Sequence, residues 1–256
     1  MNTKSAAAEG DQSMKRLWIM AALAMVPMGL AAQRALPAGT ILPISINQGI
    51  NAEKARPGQE ICGVVMQNIP GTSIHRGAKI LGHIVESTAI RNGPKRLEIK
   101  FDAVETHGLR IPLKAGLRAL ASYTEVASAQ IPEDSPDSGV VPEDATTQQI
   151  GGDQVYRGGG PVAVGTQTVG RPTPHGVLAL PRVQQGKACR GALEGNDRPQ
   201  ALWLFSTDAC GVYGYSNIHI EHAGRTDPQG AIILSAKKGK LNINSGSGLL
   251  LRVQGA

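Results

Sequence analysis

The feature that most constrains the fold is a recurring pattern of short Ile-, Val- and Leu-rich runs separated by glycine or proline. It is clearest in residues 96–102 (RLEIKFD), where three apolar residues alternate strictly with four charged ones. Successive side chains of a β-strand point to opposite faces, so the alternation predicts a strand with one buried and one wet face. Leu97, Ile99 and Phe101 are expected to point inward.

Ten segments carry a strand signal of this kind, with turn residues between them. They are residues 41–46, 60–68, 79–87, 96–105, 109–117, 201–206, 218–221, 231–236, 240–244 and 249–253. The last three are separated by short Lys/Gly and Ser/Gly turns and are expected to form a meander. The 32 glycines, 16 prolines and 3% aromatic content also favour short strands over long helices.

We therefore predict an all-β fold, a barrel or sandwich of short antiparallel strands formed by residues 36–120 and 201–253. Closure of the sheet on itself would remove exposed strand edges. Between the two halves, residues 121–156 contain seven acidic residues and no lysine or arginine, and a Gly/Pro/Thr-rich stretch follows. Such a composition buries too little apolar surface to offset the entropy of ordering. Residues 121–200 are accordingly predicted to be a long Gly/Pro-rich, acidic insertion, loop-rich and partly disordered.

Residues 1–32 are typical of an N-terminal extension followed by a cleavable signal peptide. Residues 14–16 (MKR) are positively charged and begin with a second methionine, which gives a more typical start than the polar residues before it. The apolar run over residues 17–30 is too short to span a bilayer comfortably. We expect cleavage after Ala31 or Ala32, with an uncleaved anchor as the alternative. No transmembrane helix is expected after cleavage.

Export into an oxidising compartment would allow a disulfide among the three cysteines. Cys189 and Cys210 flank a short segment, and we predict that they are bonded. Closing that loop would stabilise the fold by about 3 kcal/mol. Cys62 lies within an apolar run and is predicted to be a buried free thiol.

Charge and motifs weigh against nucleic-acid binding and against catalysis. The net charge of +6 becomes +5 without residues 1–32, which carry three basic and two acidic residues. The basic residues are scattered and have no aromatic residues among them to stack on bases, as is typical of solvated strand faces. No nucleophile elbow, phosphate-binding loop, dinucleotide-binding glycine motif or zinc-protease helix occurs. We therefore predict a non-enzymatic protein without catalytic residues, metal site or cofactor.

The six histidines do not change this interpretation. His219 and His222 are the best metal-ligand candidates, but residues three apart on a strand face opposite sides. His75, His83 and His107 are predicted to lie at strand edges or in turns. The acidic residues of the insertion do not have the spacing of a compact calcium loop.

The most distinctive remaining stretch surrounds an aromatic strand. Trp203 and Phe205 share one predicted strand face and are more typical of core anchors than of a sugar-stacking platform, although both interpretations stay open. The candidate binding face consists of Trp203, Tyr213, Tyr215, Asn196 and Asp197.

Five motifs over residues 36–113 resemble a known family in their order and spacing. They are residues 36–43 (LPAGTILP), Pro57-Gly58, residues 74–82 (IHRGAKILG), Arg96-Leu97 and residues 108–113 (GLRIPL). They are similar to the C-terminal β-barrel domain of the TrbI-like conjugal-transfer family, the scaffold subunit of type IV secretion channels. The resemblance implies a barrel architecture and carries no catalytic motif.

Together, these features favour an exported, non-enzymatic cell-envelope protein that is periplasmic or outer-membrane-associated. The resemblance implies a scaffold or docking component related to secretion or conjugation channel barrels. Its expected partners are other envelope proteins or further copies of itself, and not nucleic acid. The alternative is a secreted β domain that binds a ligand such as a glycan, and a secreted hydrolase with an unfamiliar site is a third class.

Overall fold

The structure, a computed structural model, describes most of the predicted β domain and parts of the insertion. The described residues are 35–129, 146–151, 154–156, 162–164, 166–170, 177–180, 186–187, 189, 204–206, 209–222 and 230–254. The predicted signal peptide lies outside these residues, as do Trp203, Asn196 and Asp197 of the predicted binding face.

A sheet of ten strands forms the body of the fold. Its strands are β1 (Ile41–Ile46), β3 (Glu60–Val65), β4 (Lys79–Ala89), β5 (Lys95–Thr106), β6 (Leu109–Pro112), β7 (Ala115–Ala121), β13 (Gly211–Tyr213), β14 (His219–Ile220), β15 (Ile232–Ala236) and β17 (Gly248–Val253). They are hydrogen-bonded in the order β13-β7-β17-β1-β3-β4-β5-β15-β14, and β6 also pairs with β5. The pairs are antiparallel except for β13 with β7, which is parallel. A separate short pair joins β2 (Ile50–Asn51) to β16 (Asn242–Ile243).

The predicted alternation within β5 is confirmed. Leu97, Ile99 and Phe101 are fully buried, whereas the four charged residues between and beside them are half-buried or exposed. The buried residues belong to the first core, an apolar cluster to which most strands of the sheet contribute. The side of the sheet that faces away from this cluster is called the outer face below.

Two predictions about strand arrangement are wrong. Residues 109–117 do not form one strand, because the chain leaves the β5 ladder after Pro112 and β7 pairs with β17 instead. The last three strands do not form a meander. β15 pairs with β5 and β14, β16 pairs with β2, and β17 lies between β1 and β7.

The sheet curls around the first core but does not close into a barrel. Its two terminal strands, β13 and β14, approach each other to within 8 Å between Cα atoms, yet no hydrogen-bonded ladder joins them. They contain three and two residues, at or below the lower end of usual strand lengths. The all-β fold with a long insertion is therefore confirmed, and the predicted closure is wrong.

The insertion contains regular structure where a loop was predicted. Helix α1 (Tyr123–Ala129) follows β7 directly, and the Ser122 hydroxyl accepts a hydrogen bond from the Glu125 N–H at 3.3 Å, as in an N-terminal cap. Five short strands follow: β8 (Thr146–Gln148), β9 (Gln154–Tyr156), β10 (Val162–Val164), β11 (Gln167–Gly170) and β12 (Val177–Leu180). They form the three-stranded sheet β12-β9-β8 and the hairpin β10-β11.

A second core covers part of the outer face. Ile41 of β1, Ala119 of β7 and Leu250 of β17 pack there against residues of α1 and against Phe205. Phe205 is fully buried, which confirms it as a core anchor. Hydrogen bonds from the Ile150 N–H to the Leu204 carbonyl and from the Ser206 N–H to the Ile150 carbonyl hold this layer together.

Candidate functional site

A cleft of about 560 Å³ opens at the end of the sheet where β5 turns into β6. Residues 75–79, which lead into β4, line one side, and residues 105–110, which form the β5–β6 hairpin, line the other. The space between these two segments is called the cleft below. Sequence analysis placed two of its residues, His75 and His107, at strand edges or turns, and both lie in such positions.

The hairpin wall is a tight two-residue turn. Thr106 pairs with Leu109, and the two residues between them, His107 and Gly108, have φ angles of 47° and 75°. Positive φ at both central positions is the geometry of a type I′ turn, which matches the twist of the flanking strands and favours glycine. The turn therefore projects the His107 side chain into solvent at the mouth of the cleft.

The opposite wall is held in place by buried isoleucines. Ile69 and Ile74 are 2% and 1% exposed, and the Ile69 N–H donates to the Ile74 carbonyl at 3.0 Å. The Arg76 N–H donates to Asn68 Oδ1 at 2.9 Å. The two walls are joined by the Thr106 hydroxyl, which donates to the Ser73 carbonyl at 3.3 Å. The cleft is thus attached to the first core on both sides.

The imidazoles of His75 and His107 meet across the cleft. Their ring centroids are 4.9 Å apart and the ring planes are nearly perpendicular, at 89°. This is the edge-to-face arrangement that aromatic rings favour. Both residues are exposed, so the ring pair lies at the solvent-facing mouth of the cleft.

Charged side chains form a row on the outer face beside the histidines. Lys79 of β4 lies opposite Glu105 of β5, which in turn lies opposite Arg110 of β6. The Arg110 guanidinium is 3.6 Å from the Glu105 carboxylate. With Arg76, the cleft has three cations and one anion, a net charge of +2 with neutral histidines (3 − 1). Its chemistry therefore suits a carboxylate ligand, which arginine can bind in a bidentate manner.

His83, His219 and His222, the other histidines that the structure describes, lie in separate places. His83 Nδ1 lies 2.7 Å from Asp102 Oδ2, and both side chains are about one-third exposed on the outer face. His219 lies on β14, while His222 follows in a turn with a φ of 58°. Within the described ranges, no group of three or more His, Cys, Asp or Glu side chains could hold a metal ion.

The three cysteines are arranged largely as predicted. Cys189 and Cys210 form a disulfide with a Cα–Cα distance of 5.8 Å, and both residues are buried. Such a bond is compatible with an exported protein. Cys62 is free but only half-buried, which corrects the prediction of a buried thiol. In β3 the alternate residues Ile61 and Val65 take the inward positions, so Cys62 points to the outer face.

Of the predicted binding face, the structure describes Tyr213 and Tyr215. The Tyr213 hydroxyl donates to the Cys210 carbonyl and accepts from the Cys210 N–H, each at 3.3 Å. The Tyr215 hydroxyl lies 2.7 Å from Ser247 Oγ, and its ring packs on the first core. Both side chains therefore have roles in the fold, and a glycan-binding face around Trp203 stays a prediction.

Sequence analysis included Arg76, Lys79 and Arg110 only as members of the motifs at residues 74–82 and 108–113, and it assigned them no binding role. The hairpin itself had a local signal, because His107-Gly108 lies between two predicted strands. A residue followed by glycine in that position is typical of a hairpin turn. The approach of the β3–β4 connection to that hairpin had no local signal, since Thr106 and Ser73 are 33 residues apart.

Comparisons with protein families, with curated proteins and with solved structures each returned no match to this chain. The resemblance to the TrbI-like barrel therefore stays a prediction. In the part of the chain that the structure describes, no helix is both long and apolar enough to cross a membrane.

Proposed function

We propose that this chain is an exported, non-enzymatic docking protein of the bacterial cell envelope. We also propose that its β-sheet architecture is related to the barrel of secretion and conjugation channels. The observation that carries the proposal is the cleft, which is open, cationic and bordered by an exposed leucine. Leu109 is 55% exposed, and it lies between the histidine pair and Arg110. An apolar side chain beside arginines suits a protein partner, because arginine is enriched in protein interfaces.

The residues that line the cleft favour binding over catalysis. A catalytic nucleophile needs an adjacent base that is itself oriented by a third group. The two histidines contact each other edge-to-face, and the hydroxyl of Thr106 is directed to the Ser73 carbonyl. Among the residues that the structure describes, those lining the cleft include no cysteine, serine or aspartate. A carboxylate-bearing protein surface is a better match for this set than a reacting substrate.

The location of the protein is supported by two features. The first 32 residues are typical of an export signal, and the Cys189–Cys210 disulfide is of the kind that persists in oxidising compartments. We propose a periplasmic or outer-membrane-associated protein whose partners are envelope proteins.

The test is site-specific photo-crosslinking in intact cells followed by fractionation and mass spectrometry. A photoreactive amino acid is placed at Leu109, in the cleft, or at Lys237, an exposed control position in the turn after β15. We expect a crosslinked envelope protein from position 109 and not from position 237. Recovery of an uncrosslinked soluble monomer from both variants would contradict docking and favour the ligand-binding alternative.

A further inference from the structure

Strand β6 has one paired edge and one edge that no described residue pairs with. One hydrogen bond just after β6 shows which of its residues direct their backbone groups toward β5. The Leu113 N–H donates to the Asp102 carbonyl at 2.8 Å. In an antiparallel ladder, hydrogen-bonded and non-hydrogen-bonded pairs alternate. Thr106 therefore bonds with Leu109, while the backbone of Arg110 turns away from β5.

The outward backbone groups of β6 form a short docking edge. Arg110 presents an N–H and a carbonyl there, and Pro112, two residues further on, presents a carbonyl. Proline is tolerated in a sheet where its missing N–H would face outward from an edge strand. The position of Pro112 is thus consistent with an edge that is open on this side.

A row of charged side chains on the outer face crosses β4 and β5 and ends on β6, beside its open edge. Across three adjacent strands they alternate as Lys79, Glu105 and Arg110. Opposite charges on directly opposed residues of neighbouring strands attract each other, and like charges repel. A fourth strand added beside β6 would continue the alternation if it placed an acidic residue opposite Arg110.

We propose that the partner is an extended acidic segment of another protein that adds to β6 as a further strand. This inference rests on the docking function proposed above and names the partner class for the β6 side of the cleft. The segment's backbone exchanges hydrogen bonds with Arg110, and its acidic side chain pairs with the guanidinium. The side chains before and after that acid point to the opposite face, where Leu109 is exposed, so they are apolar.

The probe is a fluorescein-labelled hexapeptide in which glutamate and valine alternate, and binding to the mature full-length protein is followed by fluorescence polarisation. Two backbone-methylated peptides form a matched pair. Methylation at the glutamate nitrogens blocks the N–H groups that face β6, whereas methylation at the valine nitrogens blocks those that face solvent. We expect binding to be lost for the first peptide and kept for the second.

Protein variants test the charge separately from the backbone. Arg110→Gln should weaken binding by up to about fivefold, the upper range for a cross-strand charge pair. Arg91→Gln, at an exposed arginine in the β4–β5 turn, is the matched control and should leave binding unchanged. Because the methylated peptides leave the protein unaltered, the test does not depend on the folding of any variant.

If both methylated peptides bind as well as the parent, or if both lose binding equally, strand addition is overturned. Crosslinking from position 109 would then still support docking by another geometry. If the parent peptide does not bind and position 109 also gives no crosslink, the proposed function is overturned together with its partner.

Discussion

The disulfide between Cys189 and Cys210 is expected to contribute a large share of the stability of the fold. The two cysteines are 21 residues apart in sequence. Closing a loop of this length lowers the entropy of the unfolded chain by an amount worth about 3 kcal/mol in the chain-entropy model. In domains of this size each kcal/mol shifts the melting temperature by roughly 2–4 °C, so loss of the bond should lower Tm by about 6–12 °C.

The assay is thermal unfolding followed by circular dichroism for the protein with Cys189→Ala and Cys210→Ala together. Alanine is chosen because Cys210 is fully buried and a serine hydroxyl would need a partner there. Cys62→Ala is the matched control, since that thiol is unbonded and half-buried. Reduced wild-type protein should melt close to the double variant. A double variant that melts within about 2 °C of the oxidised wild type would refute the loop-closure reasoning.

Three further predictions concern packing and local conformation. Phe101→Ala should lower the free energy of unfolding in urea by about 3–5 kcal/mol, whereas the exposed neighbouring change Lys100→Ala should cost under about 0.5 kcal/mol. Gly82→Ala should destabilise more than Gly58→Ala by the same assay, because a Cβ at Gly82 would overlap the Lys100 carbonyl oxygen and lie 2.9 Å from the Phe101 ring. At Gly58 the space is open, and alanine would meet only the strain of a φ of 79°. Ser122→Ala removes the cap of α1 and should cost about 1 kcal/mol, measured likewise; an unchanged midpoint would contradict a capping role.

A strand with one wet face could be predicted well from the sequence. In β5, Leu97, Ile99 and Phe101 are buried as the alternation indicated, because inward and outward positions differ in polarity along that part of the strand. The bounds of β1 also agree with the predicted residues 41–46, although almost all of its residues are buried. Local patterns of this kind need no knowledge of the partner strand.

Strand partners could not be predicted in the same way. β15 lies against β5 with Leu234 opposite Leu97, although more than a hundred residues separate them. Either strand would also present an apolar face to many other strands, so the pattern does not select a partner. The predicted meander followed sequence adjacency instead, and adjacency is only a tendency in β folds.

The helix in the insertion was missed although a local signal was present. Ser122 and Glu125 have the spacing of a capping box, in which a serine hydroxyl accepts from a backbone N–H three residues on. The acidic composition of residues 121–156 instead favours a loop, so the two local signals point to different structures. The cleft, in contrast, depends on the tertiary approach of Ser73 to Thr106, which no sequence motif encodes.

The uninterrupted burial of β7 explains why the cleft lies where it does. All seven residues of β7 are buried, as are all six of β17, so these strands are covered on both faces. Strands with two covered faces are typically apolar, because neither side meets water, and apart from the buried Arg118 and Arg252 these two strands are. The chain continues from β7 into α1 after a single residue, which places the helix against the outer face beside these strands. On β4, β5 and β6 the outer face instead carries Lys79, Glu105 and Arg110, and the polarity of these side chains favours contact with water or with a charged partner.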